Sequence, residues 1–176
     1  MTRASTVLFG LALLGSACGG SSSSATTPTT TTGANTVVFT AALSPANEVP
    51  PVTNADSTGS GTATITLNLT KDSAGNITAA TVTFQINLTG FPANTNLTAA
   101  HIHQGATTCA CPVVVSTTLA NGELVLGNGS GGFTKASIPA GADVAQGMIN
   151  NPSAYYFNVH TTLNGGGAAR GILVKQ

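Results

Sequence analysis

Three histidines are the whole imidazole complement of the chain, and they fall in two short stretches. Ala100-His101-Ile102-His103-Gln104-Gly105 carries two, and Tyr155-Tyr156-Phe157-Asn158-Val159-His160-Thr161 carries the third. Imidazole suits both zinc and copper, and three protein ligands with an open fourth position is a catalytic metal pattern. Both stretches read as strands, in which successive side chains point to opposite faces. His101 and His103 therefore share a face, with Ile102 on the other. His160 shares a face with Asn158 and Tyr156, with Phe157 and Val159 opposite. If the two strands are neighbours, three rings converge on one side of a sheet whose other side is core. The competing reading is structural: each imidazole ties a loop through a backbone carbonyl and no metal is needed.

Other chemistry-bearing residues are few. Arg170, close to glycines on both sides, either guides an anion or pins a loop through carbonyls or a carboxylate. Glu48, ahead of Pro50 and Pro51, is one of five acids and reads as the partner of that arginine or as a loop anchor. Cys109 and Cys111 lie two apart, so their Cα atoms come within bridging distance if the chain turns there. An oxidising compartment favours the disulfide. The alternative is a pair of thiolate ligands beside the histidines, which would favour Cu(I). No nucleophile elbow, phosphate loop or paired-carboxylate motif occurs. Whether the protein is an enzyme stays open: the three histidines admit copper storage or delivery as well as a copper-dependent oxidoreductase, for which Arg170 is the one candidate catalytic residue.

Charged residues make up 6% of the chain and the formal net charge is zero. Lys71, Lys135, Arg170 and Lys175 are scattered, which excludes a phosphate-binding patch and hence nucleic acid. Electrostatic attachment to anionic lipid is disfavoured for the same reason.

The chain opens with Arg3 and the apolar run Val7 to Leu14, too short to span a bilayer, which reads as an export signal over 1–17. Leu14-Gly15-Ser16-Ala17-Cys18 resembles the bacterial lipoprotein cleavage motif, although Leu14 stands one place early. That resemblance implies lipidation of Cys18, a membrane anchor and an address on the cell envelope, at the outer membrane or cell surface. Residues 18–35, rich in Ser, Thr and Gly, read as a flexible tether. The cysteine count agrees: acylating Cys18 leaves Cys109 and Cys111 as a pair.

The elements that must position the histidines lie in residues 36–176. Val37–Leu43 is a first strand, and prolines break the segment after it. Thr62–Leu69 and Ile77–Leu88 alternate with period two, and the turn cluster Lys71–Asn76 joins them as a hairpin. Strands are expected at Thr98–His103 and Pro112–Leu119. Asn121-Gly122 is then a hairpin turn into a short strand at Glu123–Leu126, with another at Gly132–Thr134. Gly141–Asn150 is the only helical segment, with Asp143 or a neighbour as its cap and Pro152 beyond its end. The His160 strand and a last strand, Ala169–Val174, follow. Alternation places one of Tyr155 and Tyr156 in the core and the other on the surface. The expected fold is all-β: an antiparallel Greek-key sandwich or barrel of about eight or nine strands with one short helix.

Four motifs in order give the region Thr36 to Val174 a resemblance to the CHRD domain, the module named after chordin. They are Phe39-Thr40-Ala41-Ala42-Leu43 followed by Asn47-Glu48-Val49-Pro50-Pro51; His101-Ile102-His103-Gln104-Gly105; Phe157-Asn158-Val159-His160-Thr161; and Gly166-Gly167-Ala168-Ala169-Arg170-Gly171. The chain departs from the family at Ala168-Ala169, where Glu-Ile is usual, and at Cys109-Ala110-Cys111, where an Asn-Gly-type turn is usual. The resemblance implies an extracytoplasmic binding or structural module, its protein or glycan partner unspecified. The layout is also similar to that of copper/zinc superoxide dismutases. That likeness would match His101, His103 and His160 to three copper ligands and Arg170 to the arginine beside the copper. With no fourth histidine, a zinc-bridged dismutase site is excluded.

Overall fold

A computed structural model describes residues 35–105 and 109–176. The expected export signal, Cys18 and all but the last residue of the expected tether lie outside the described residues. Ten strands and one helix follow: β1 (Thr36–Leu43), β2 (Ser60–Lys71), β3 (Ile77–Thr89), β4 (Thr95–Gln104), β5 (Val113–Ser116), β6 (Val125–Leu126), β7 (Gly131–Ala140), α1 (Ala142–Asn150), β8 (Tyr155–Thr161), β9 (Ala169–Ile172) and β10 (Val174–Lys175). They form two antiparallel sheets, one ordered β10-β1-β2-β3-β7 and the other β5-β4-β8-β9, with β6 also paired to β4. The sandwich is all-β, as expected.

The alternation of β2 and β3 sets the first sheet. Their register pairs Ala63 with Ile86, Ile65 with Phe84 and Leu67 with Val82, all buried. The second sheet answers with Ala100 and Ile102 from β4 and Phe157 and Val159 from β8. Phe84 meets Phe157 across the gap, ring centroids 5.7 Å apart. Burying such side chains away from water drives the two sheets together. The helix α1 adds Ala145 and Met148 to this core. Its N-terminus has Gly141 in the cap position with no side-chain cap, and Asp143 sits in the first turn. The cap position thus falls to a neighbour of Asp143, while the Asp143 carboxylate, in the first turn, complements the positive end of the helix.

Three expectations about strands are corrected. The Asn121-Gly122 turn exists, with Glu123 N–H donating to Ala120 C=O at 3.0 Å, but it joins no hairpin. β5 and β6 pair with opposite ends of β4, His101 facing Ser116 and Thr95 facing Leu126. The chain leaves β5 at Thr117, whose hydroxyl and N–H both donate to Ala100 C=O, and Thr118 takes a φ of 60°. The short strand expected at 132–134 is the ten-residue β7, an edge strand where Pro139 leaves no ladder bond unmet. The last strand divides at Leu173: β9 belongs to the second sheet, β10 to the first. That division brings the nine expected strands to ten.

Sheet two is covered on both faces. Every residue of β8 is buried. Its inner face meets the apolar core. Its outer face lies under Glu48 and the cysteine turn, which meet Arg170 and Tyr156 and form a second, polar layer.

Candidate functional site

Strand register brings the histidines together. β4 pairs with β8 so that His101 faces Asn158, His103 faces Tyr156 and Ala99 faces His160. With period two, His101, His103, Tyr156, Asn158 and His160 fall on one side of the sheet, while Ile102, Phe157 and Val159 enter the core. One ligand atom from each of the three histidines lies within 4.8 Å of the others, a group that could hold a metal ion. The rings contact one another: His101 and His103 edge-on at 5.6 Å between centroids, His101 and His160 at 5.0 Å.

Hydrogen bonds fix which nitrogen each ring presents. His103 Nδ1–H donates to Cys111 C=O at 2.7 Å, and His160 Nδ1–H donates to Gly165 C=O at 3.1 Å. A carbonyl can only accept, so Nε2 carries the lone pair in both rings. His160 Nε2 accepts from His101 Nδ1–H at 3.2 Å. His103 Nε2 is buried and has no hydrogen-bond partner. Burial pushes the His101 ring down to about 4, and its neighbours His160 and His103 push the same way. Burial also lowers His103 and His160, against the carbonyl bond that each ring makes. All three imidazoles are thus held neutral at pH 7, the form that ligates metal.

Arg170 lies beside this cluster at 2% exposure. Its Nε donates to Asn47 C=O at 2.8 Å and faces Glu48 Oε2 at 3.2 Å; its Nη1 donates to Cys109 C=O at 2.9 Å. The Glu48–Arg170 pairing read from the sequence is present. Burial pushes the Glu48 carboxyl up to about 7, although Arg170 and an Asn158 hydrogen bond pull it down. Tyr156 carries His103 stacked on its ring at 4.8 Å, and the Arg170 guanidinium carbon also sits 4.8 Å from the ring centroid. Both Tyr155 and Tyr156 are buried, which corrects the expected core-and-surface split. The outward ring of Tyr156 is roofed by the cysteine turn, its hydroxyl donating to Cys109 C=O and accepting from Cys111 N–H, each at 3.2 Å. Cys109 and Cys111 are joined as a disulfide, Cα atoms 5.2 Å apart.

The chain matches the CHRD domain over residues 39–173, most of its length. It belongs to the CHRD family. No curated protein and no solved structure matches it.

Within this CHRD domain the residues singled out by sequence come together: His101, His103, His160, Arg170, Glu48 and the cysteine pair line one polar layer. Cys18 lies outside the described residues. Sequence reasoning missed Asp56, Thr161 and Asn164, while Asn158 lies on the His160 face as expected. Asp56 is buried at 1% exposure, and its Oδ2 accepts from Thr161 Oγ1 and from Asn164 Nδ2, each at 2.6 Å. These bonds anchor the turn that presents Gly165 C=O to His160. The one local signal was Asn54-Ala55-Asp56, where the Asn54 side chain accepts from Asp56 N–H and opens a tight turn.

Proposed function

We propose that this CHRD domain is an extracytoplasmic, lipid-anchored module that binds one copper or zinc ion through His101, His103 and His160. The observation that carries the metal site is His103 Nε2, a buried lone pair with no donor, beside the His160 Nε2 that its carbonyl bond turns toward His101. Metal-ligating histidines are held in this way, the second ring nitrogen donating to a carbonyl that fixes tautomer and orientation. Neutral imidazoles on a rigid pair of strands need little rearrangement to bind. When bound, the ion would supply Lewis-acid chemistry if zinc, or one-electron chemistry if copper. The address rests on the leader over 1–17, lipidation at Cys18 and the tether over 18–35, read from sequence.

The test is calorimetry and elemental analysis of the purified chain from Gly19 onward, with copper and with zinc, beside a variant carrying His101→Gln, His103→Gln and His160→Gln. One ion per wild-type chain, lost in a variant that keeps its β circular dichroism, is the expected result. A folded wild-type chain that takes up neither ion would overturn the reading and leave the histidines as loop ties.

The anchor is tested apart from the metal. Labelled palmitate fed to a bacterial host should enter the full-length protein and not its Cys18→Ser variant. An unlabelled wild-type protein in the soluble periplasmic fraction would end the lipoprotein assignment.

A further inference from the structure

The polar layer encloses a small cavity of about 90 Å³ next to His103. Glu48, His103, Tyr156, Asn158 and Arg170 are among the residues that line it. Three of these carry a buried polar atom with no hydrogen-bond partner: Glu48 Oε1, His103 Nε2 and Asn158 Oδ1. All three residues are more than nine-tenths buried. A metal on the histidines accounts for His103 Nε2 only. A carboxylate oxygen and an amide oxygen remain, both acceptors, and a buried acceptor without a donor is costly enough to need an explanation. The nearest cation does not supply one: Arg170 turns Nε to Asn47 C=O and Glu48 Oε2 and Nη1 to Cys109 C=O, and neither Glu48 Oε1 nor Asn158 Oδ1 receives a bond from it.

The geometry points to a subsite for a small neutral hydroxylic molecule, whose O–H groups Glu48 Oε1 and Asn158 Oδ1 accept. The volume has room for a small molecule, since roughly 10–15 Å³ of such space already holds a water. Where Glu48 is ionised an anion is rejected, because it brings a further acceptor to two oxygens that already lack a donor. This subsite lies beyond the metal reading and stands without an ion.

The probe is methanol, with azide as the anion. Each is titrated into the isotope-labelled chain, prepared without metal, at a pH well above the Glu48 value of about 7, and the Asn158 side-chain amide signal is followed by NMR. Methanol should shift that signal saturably, and azide should leave it in place. Glu48→Gln sharpens the test. Arg170 Nε needs an oxygen opposite it, so the new NH2 group takes the place of Oε1 and turns an acceptor into a donor. The variant should lose most of the methanol response and bind azide at least tenfold more tightly than wild type. Azide binding by the wild-type chain, or no response to methanol, overturns the proposal. Copper uptake is scored separately, so failure of the metal reading would not be mistaken for failure of this one.

Discussion

Glu48 and the histidines answer protons in opposite senses. The imidazoles have folded-state values below the usual 6.5, His101 at about 4. Between those limits the unfolded chain binds more protons than the fold, so their contribution is intact above pH 6.5 and is lost as pH falls toward 4. Glu48 is raised from 4.5 to about 7. Between those values the fold holds a proton that the unfolded chain has released. Its contribution is therefore present below pH 4.5 and lost as pH rises through 7. Each offsets part of the other. In Glu48→Gln only the histidine effect remains, and urea midpoints of the metal-free chain should fall more steeply from pH 6.5 to 4 than in wild type. Parallel profiles for the two proteins would contradict this assignment. Bound metal competes with protons for the same nitrogens, so ion release should track the same acid limb.

At the scale of elements, β9 places Arg170 and has almost no freedom. Ser44 and Arg170 exchange backbone bonds of 3.1 and 3.3 Å, tying the end of β1 to β9. A Cβ on the next residue, Gly171, would run into the Ala42 carbonyl. Gly171→Ala should therefore cost on the order of 1–3 kcal/mol, the usual penalty for overpacking. Because β9 must shift, it should also weaken metal uptake, measurable by urea unfolding and calorimetry on one preparation. An unchanged midpoint would mean that the β1–β9 contact is looser than this. Strands such as β2 and β3 were legible because their alternation is uninterrupted. The partners of β5 and β6 were not, because Asn121-Gly122 specifies a turn but not which edge the strands beyond it find. That choice belongs to β4, which offers an open edge to both. The length of β7 was hidden by Gly131, Gly132 and Pro139, residues that suppress a strand signal except at a sheet edge.

Across the whole molecule there are two cores of different chemistry on the two faces of one sheet. The apolar core follows from period-two patterning and was readable. So was the convergence of His101, His103 and His160, which needed only that β4 and β8 be neighbours. The polar core was not readable beyond Glu48 and Arg170. The buried Asp56–Thr161 bond at the end of β8 was equally hidden, because a threonine that meets a buried carboxylate looks in sequence like any surface threonine. Metal should stabilise the assembly by mass action, by about 2.7 kcal/mol when free ion is at 100 times Kd. For a chain of this size that is a rise of roughly 5–11 °C in Tm. Differential scanning calorimetry should show the rise, its reversal by chelator and its absence in the triple histidine variant. A wild-type Tm indifferent to metal would argue against the site. β10 returns to lie beside β1, with Phe39 facing Lys175 and Gln176 N–H donating to Val38 C=O at 3.0 Å. Entry to and exit from the domain thus share one sheet edge. A fold with that property can be spliced into a loop of another protein as a single cassette, or strung in tandem, without prising apart the strands that carry the histidines.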